Sequence, residues 1–387
     1  MYKIKTFNKI DPEGMKRLPE NFTVIDGEDY DGIILRSYKM SEAELTPSLC
    51  GVARAGAGVN NIPVDLYAQK GVVVFNTPGA NANAVKELVI LGALLAERKV
   101  AAGMQWVQTL KGADVDVEKE VEAQKSAYTG PELLGKKAGV IGLGAIGAQV
   151  ANTFEAMGME VYGYDPFISV EAAWGLNSSV NRVTSVEWIF ANCDVVSIHV
   201  PLVESTKKFV NSNLIAQAKE GIRILNFARG GLCDDGAIIE GIKSGKIAAY
   251  VTDFPNEALL GYDNIIAIPH LGASTPESET NCAIMAANQL AEYLVNGNIL
   301  NSVNYPNCDM GKRNGGTRLT INHRNIPNMV GQITTVLAND NINISDMINK
   351  SRGDYAYTMI DVDNEVAQSV VEDLAAIEGV LKVRKLS

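Results

Sequence analysis

Ala138-Gly139-Val140-Ile141-Gly142-Leu143-Gly144-Ala145-Ile146-Gly147-Ala148-Gln149-Val150 is the stretch on which the architecture of this chain turns. An uncharged, β-rich run ends in glycines spaced Gly-x-Gly-x-x-Gly, and Ile146, Val150, Phe154 and Met157 then recur at helical spacing. Such a recurrence gives a helix one apolar face to lay on a sheet. Lacking side chains, Gly142 permits a tight turn, Gly144 a close approach to a pyrophosphate, and Gly147 close packing of helix on strand. The phosphates would rest on the helix N-terminus beside Ala145 and Ile146, where unpaired N–H groups and the helix dipole favour an anion. Asp165 closes the next run, 160–164. A carboxylate about 20 residues past the glycines accepts hydrogen bonds from both ribose hydroxyls and repels a 2′-phosphate, so NAD is expected over NADP.

Further runs at 195–200, 223–227, 248–252 and 265–268 continue the alternation with helical stretches between them. With 138–141 and 160–164 they predict a doubly wound parallel sheet of six strands, a Rossmann-type α/β domain assigned to 98–282. The residues before it repeat the pattern on a smaller scale, with strands expected at 32–36, 51–55 and 72–76 and helix over 83–111. This flavodoxin-like α/β substrate domain is assigned to 1–97 and 283–304, the helical material of 277–295 returning to pack on it. Pro306, glycines and asparagines mark 305–316 as a linker. From 317 to 387 the order strand, helix, strand, strand, helix, strand is that of a ferredoxin-like βαββαβ domain, a fold that by itself assigns no function.

The chain has 387 residues, room for two or three domains at one per ~150 residues. A formal net charge of -11 disfavours nucleic acid or an anionic membrane surface as partner. Cys50, Cys193, Cys233, Cys282 and Cys308 are odd in number and lack a CxxC pair. They suggest neither a disulfide framework nor a metal site, and a reducing compartment, the cytoplasm, is expected. The amino-terminal residues contain no apolar run of signal or membrane-spanning length.

Asn226-Phe227-Ala228-Arg229-Gly230-Gly231 sets an arginine just past a strand's carboxyl end, the edge where open α/β sheets bind ligands. Its planar fork can hold a carboxylate through two hydrogen bonds, which lysine cannot reproduce. Pro269-His270-Leu271-Gly272 follows another strand, and an imidazole titrating near neutrality suits proton exchange with an alcohol. Glu257, in Asp253-Phe254-Pro255-Asn256-Glu257, could orient that imidazole and favour its protonated form. Taken singly, each has a plainer alternative: a surface arginine in a glycine turn, a structural histidine, a solvated loop glutamate.

These motifs, with Ile268-Pro269-His270-Leu271-Gly272-Ala273-Ser274-Thr275, resemble those of the D-isomer-specific 2-hydroxyacid dehydrogenases, and the resemblance covers essentially the whole chain. It implies hydride transfer between C2 of a D-2-hydroxy acid and NAD, with Arg229 on the substrate carboxylate and C2 oxygen, His270 as acid and base, and Glu257 as its support. Cofactor contacts are implied at His199, Val200, Pro201 and Thr206, at the backbone of Phe227, Ala228 and Arg229, and at His270, Gly272 and Ala273. Asp253 would meet the nicotinamide amide, although the loop from it to Glu257 is one residue shorter than usual. Val52-Ala53-Arg54-Ala55-Gly56-Ala57-Gly58-Val59 resembles the family's substrate loop, with Arg54, Ala55 and Gly56 holding the acid. Arg36 resembles a second phosphate contact, so a phosphorylated 2-hydroxy acid is implied. Tyr38 stands where some relatives carry a further arginine, and Lys39 is the candidate substitute.

His323-Arg324-Asn325-Ile326-Pro327 and Asn343 resemble the serine-binding positions of an ACT-type regulatory domain, with Asn328 in place of the usual glycine. A serine effector held by His323, Asn325 and Asn343 is therefore implied, as is a homodimer or homotetramer. The rival readings are a related enzyme for an unphosphorylated acid, such as a glyoxylate or hydroxypyruvate reductase, and a catalytically idle NAD-binding sensor.

Overall fold

The computed structural model describes residues 1–313 and 315–386, so Asn314 of the expected linker and Ser387 of the expected last domain lie outside the described residues. By contacts the chain divides into two compact units, one formed by Met1–Asn81 with the chain from Pro276 onward, the other by Ala82–Thr275.

In the first unit, β1 (Tyr2–Phe7), β2 (Phe22–Val24), β3 (Gly32–Leu35), β4 (Gly51–Arg54) and β5 (Val73–Phe75) form a parallel sheet in the order β2-β1-β3-β4-β5. This is the flavodoxin-like order. β1 and β2 escape sequence reading because β1 buries Ile4 alone, set between lysines, and β2 has 3 residues. Ile33, Val52, Val74 and Tyr67 pack on one face and Ile4, Ile34, Ala53 and Phe75 on the other. The helix Pro276–Asn296 covers the second face. Its Leu290 lies so close that a Cβ on Gly51 would come within 2.9 Å of Cδ1, and glycine there is what lets the helix down onto the strand.

Residues 301–304 then run along the free edge of β5 as a strap. Ser302 pairs antiparallel with Phe75, Val303 N donates to the Val74 carbonyl at 2.9 Å, and Asn304 accepts from Val74 N and donates to Val72 O, each at 2.9 Å. The expected linker begins packed rather than loose. Tyr305 and Cys308 are fully buried, the tyrosine hydroxyl donating to Ala68 O at 2.8 Å and Cys308 pairing with Ile299. Two apolar anchors among turn-forming residues leave no periodic trace, which is why composition hides them.

In the second unit, β6 (Lys137–Ile141), β7 (Glu160–Tyr164), β8 (Asn181–Arg182), β9 (Val195–Ile198), β10 (Ile222–Asn226), β11 (Ile247–Thr252) and β12 (Ile265–Ala267) form a parallel sheet, order β12-β11-β10-β9-β6-β7-β8. The strand beyond the expected six is β8, two exposed residues without an apolar signal. Strand order reverses between β6 and β9, and the crevice at the carboxyl ends there is where such sheets bind ligands. The helix expected over 83–111 is two, Ala82–Glu97 and Val100–Thr109. At the break Gly130 packs on the Glu97 carbonyl, where a Cβ would lie 2.1 Å from the oxygen. The Glu97 carboxylate turns inward to Arg223 Nε at 3.1 Å and Lys136 Nζ at 3.4 Å. Burial pushes its pKa up, opposed by both cations.

The third sheet, β13 (Thr317–Arg324), β14 (Ile344–Arg352), β15 (Tyr355–Val362) and β16 (Val380–Leu386), belongs to the first unit and is antiparallel in the order β14-β15-β13-β16. Leu319, Ile321 and Ile360 point to the helices Met329–Asn339 and Gln368–Ala375. Period-2 alternation sends Tyr357 and Met359 the other way, into the core that holds Tyr293, Leu294 and Ile299. Both faces are therefore covered. Arg318, 1% exposed, grips Asp361 through Nε at 2.6 Å and Nη2 at 2.7 Å, while Nη1 donates to Asn296 O at 2.9 Å and Gly311 O at 2.8 Å. Arg384 donates to Tyr293 O at 3.2 Å and Leu294 O at 2.7 Å. The helix Pro276–Asn296 has no basic residue in its own last turn, so these guanidinium groups cap its carbonyls and oppose its dipole. Among the described residues, no helix is long and apolar enough to cross a membrane.

Candidate active site

The glycine turn divides its labour as spacing requires. Gly142, just past β6, has φ +88°, and a Cβ there would meet His199 O at 2.7 Å. Around Gly144, the N-cap of the helix Ala145–Ala156, nothing lies within 4 Å of such a Cβ, leaving room for a phosphate. At Gly147 a Cβ would lie 1.9 Å from Gly142 O, so helix and turn interlock. Ala145 is exposed and Ile146 half-buried on the first helical turn.

Asp165 follows β7, with Oδ2 accepting from Leu143 N and Oδ1 from Phe167 N, each at 2.8 Å. These bonds aim the carboxylate into a cavity of ≈ 700 Å³ that Gly142, Gly144, His199, Val200, Pro201 and Thr206 also line. Thr206 Oγ1 braces this wall, donating to Pro201 O at 2.6 Å. His199 Nε2 lies 2.7 Å from Ser197 Oγ, and desolvation lowers its pKa to about 3. A histidine so depressed stays neutral at ordinary pH, which removes it as proton carrier.

Three more strand ends bring the chemical groups to the same edge of this sheet. Past β10, Phe227 is buried against Gly92 while Ala228 and exposed Arg229 form the rim, Arg229 Nη1 donating to Ala228 O at 2.7 Å. Asn226, 1% exposed, holds that rim: Oδ1 accepts from Ala228 N at 3.3 Å and Nδ2 donates to Arg229 O at 3.0 Å. Sequence reading passed over it, although a polar residue ending an apolar strand directly before the arginine is a signal of such bracing. Past β11, Asp253 is buried. Its Oδ2 accepts from Gly272 N at 3.3 Å, and its Oδ1 has no hydrogen-bond partner among the described residues. Burial raises its pKa, and the positive charges of His270 and Arg229 oppose the rise, so all three groups share one field. A buried carboxylate oxygen without a donor is costly, and a carboxamide N–H2 such as that of nicotinamide has the chemistry to satisfy it.

His270 sits past β12 with its ring exposed and φ +37°, a conformation in which a non-glycine residue is strained and which concentrates at functional sites. Its N–H donates to Asp253 O at 3.1 Å, and its ring meets that of Phe254 at 4.6 Å. Ala273 follows Gly272 on the same loop. Glu257 is not brought to the imidazole: it lies exposed on the turn Glu257–Leu259, and among the described residues no hydrogen bond or ion pair joins the two side chains. Asn256 caps that turn and donates to Asp235 at 2.7 Å, which fixes the short loop elsewhere.

In the first unit, Arg54 Nε donates to Arg36 O at 3.0 Å and its Nη1 to Gly58 O, so the arginine braces the loop containing Ala55 and Gly56. Arg36 is ion-paired with Glu279 at 2.7 Å, and Lys39 is exposed. Of the expected serine positions, His323 is buried on the helix side of the third sheet, Nδ1 2.8 Å from Arg324 O and Nε2 2.9 Å from Thr358 Oγ1. Burial lowers its pKa. Asn325 donates to Gly353 O at 3.0 Å and Asn343 to Asp363 at 3.5 Å, both exposed. Among the described residues, no group of acidic, histidine or cysteine side chains could hold a metal.

Residues 93–272 match the family model of the D-isomer specific 2-hydroxyacid dehydrogenase NAD binding domain. The D-3-phosphoglycerate dehydrogenase of Haemophilus influenzae is 33% identical over 92% of this chain and 86% of its own length. That of Archaeoglobus fulgidus is 34% identical over 72% of this chain, which spans 52% of that longer protein. Among solved structures, NAD+-bound 3-phosphoglycerate dehydrogenase of Entamoeba histolytica matches with a TM-score of 0.57 at 28% identity, over 78% of this chain and 98% of that one.

Proposed function

This chain belongs to the D-isomer specific 2-hydroxyacid dehydrogenases, NAD-dependent enzymes, and we propose that its own reaction is oxidation of D-3-phosphoglycerate to 3-phosphohydroxypyruvate, the first step of serine synthesis. The observation that carries the reading is the meeting of Arg229, buried Asp253 and strained His270 at the carboxyl edge of a sheet whose glycine turn leaves room for a pyrophosphate. The relatives' names supply the substrate.

NAD, when bound, accepts the hydride from C2. Gly142, Gly144 and Gly147 would admit its phosphates, Asp165 its ribose and Asp253 its amide. Arg229 holds the substrate carboxylate and C2 oxygen, and His270 removes the hydroxyl proton as the carbonyl forms. Because no hydrogen bond or ion pair joins Glu257 to the imidazole among the described residues, the proton step is assigned to His270, whose ring meets that of Phe254 at a tilt of 49°. Arg54 and Arg36 are assigned to the phosphate end, where the phosphate would compete with Glu279 for Arg36. Serine as an effector at His323, Asn325 and Asn343, a homodimer or homotetramer, and a cytoplasmic location complete the reading by family resemblance.

The test is NADH formation with D-3-phosphoglycerate, D-glycerate and D-lactate, with and without serine. A kcat/KM at least ~100-fold higher for phosphoglycerate is expected, since two guanidinium contacts depend on its phosphate. Equal use of D-glycerate or D-lactate would replace this reading with the unphosphorylated-acid rival. Loss of rate with serine supports the effector assignment, and insensitivity removes it while leaving the enzyme. Within the same assay Arg229→Lys should raise substrate KM roughly 10-fold or more with the NAD KM unchanged, because lysine cannot offer the paired donors.

A further inference from the structure

We propose that Arg352, on the third sheet, positions the substrate loop 54–58 through a chain of hydrogen bonds, so that the last domain sets the enzyme's affinity for its acid. The inference rests on the role proposed above for that loop. Its outermost link is Arg352 Nη1 donating to the Ser302 carbonyl at 2.6 Å. Ser302 lies in the strap and pairs with Phe75, the last residue of β5.

One residue further on, strap and strand are tied by a closed ring. Asn76 N donates to Asn301 O at 3.4 Å, Asn301 Nδ2 to Gln289 Oε1 at 2.8 Å, and Gln289 Nε2 back to Asn76 O at 3.0 Å. From the ring two bonds reach the loop itself. Asn76 Nδ2 donates to Ala57 O at 2.7 Å, and Thr77 N to Gly56 O at 3.1 Å.

The chain is stiff for a physical reason. Ser302, Gln289 and Thr77 are buried, and buried polar groups that lose a partner cost far more than exposed ones. A shift of the strap that parted Ser302, Gln289 or Thr77 from its partner would leave a buried group unpaired, so the less costly response moves half-buried Asn76, and with it the carbonyls of Gly56 and Ala57. The first link is the most exposed of the chain. Arg352 is exposed and borders an open cleft of ≈ 490 Å³ shared with Asn76, Asn301 and Ser351.

The experiment is a set of full-length variants, Arg352→Ala, Arg352→Lys, Asn76→Ala and the double Arg352→Ala/Asn76→Ala. Each is assayed for KM and kcat with whichever D-2-hydroxy acid the unaltered enzyme oxidises, and for melting temperature. Arg352→Ala should raise the acid's KM about threefold to tenfold, with kcat and the NAD KM within about twofold, the size of one lost hydrogen bond. Arg352→Lys, which keeps a donor, should recover most of the loss. Asn76→Ala should raise KM further, and the double variant should be little worse than Asn76→Ala, because both act along one line. A wild-type KM in Arg352→Ala, no recovery with lysine, or effects that multiply as for independent sites would each overturn the proposal. If the acid oxidised is not 3-phosphoglycerate, the substrate assignment falls and the KM series still decides the positioning role.

Discussion

Exchanging His270 for alanine is expected to lower kcat by roughly 10²–10⁴, the usual worth of a positioned acid–base group, while the dissociation constant for NAD changes little. The ring is exposed, so its removal opens no cavity. The backbone is the complication, since φ +37° is uncomfortable for any side chain. His270→Asn controls for it: asparagine tolerates positive φ better than alanine and cannot shuttle a proton. If the loss belongs to proton transfer, both variants lose turnover equally. If asparagine restores it, the geometry of the loop mattered and the imidazole did not. His199 offers no substitute, because desolvation keeps it neutral and its nitrogen faces Ser197.

Arg318→Ala should produce the largest loss of stability. Removing the guanidinium takes the donors from Asp361 and strands the carbonyls of Asn296 and Gly311; breaking a fully buried pair by deleting one partner costs about 3–5 kcal/mol, and the 27% exposure of Asp361 puts the expected loss at the lower end. At ~1.4 kcal/mol per decade, hydrogen-exchange protection in β13 and β15 should fall about a hundredfold. The strands of the second unit, which Arg318 does not touch, should keep theirs. Unchanged protection in β13 would mean that the buried ion pair contributes nothing net.

Much of the cofactor side was legible because it is written locally. Gly142 and Asp165 each sit just past a strand end, Gly144 and Gly147 open the helix between them, and Arg229, Asp253 and His270 follow later strands. The apolar runs that mark those strands are long enough to recognise without partners. What escaped depends on residues far apart in sequence. Glu97 meets Arg223 only after folding, and nothing in the expected helix over 83–111 announces a buried carboxylate. The strap at 301–304 is defined by β5, more than two hundred residues earlier, through Asn304 and Val74. β1 and β8 form strands because neighbours complete their hydrogen bonding, with little apolar patterning of their own. The short loop before Glu257 is of the same kind, tied through Asn256 to Asp235 on an earlier helix.

A domain hung on a flexible tether can be lost or exchanged by a single recombination event, since each half keeps a finished surface. The third sheet here is not of that sort. A crossover within 305–316 would part Tyr357 and Met359 from Tyr293, Leu294 and Ile299, and would leave the end of the helix Pro276–Asn296 without Arg318 and Arg384. Both products would carry a raw apolar face. In this chain the first sheet and the last share one core, so a substitution fixed on one side of it limits which substitutions the other side can accept.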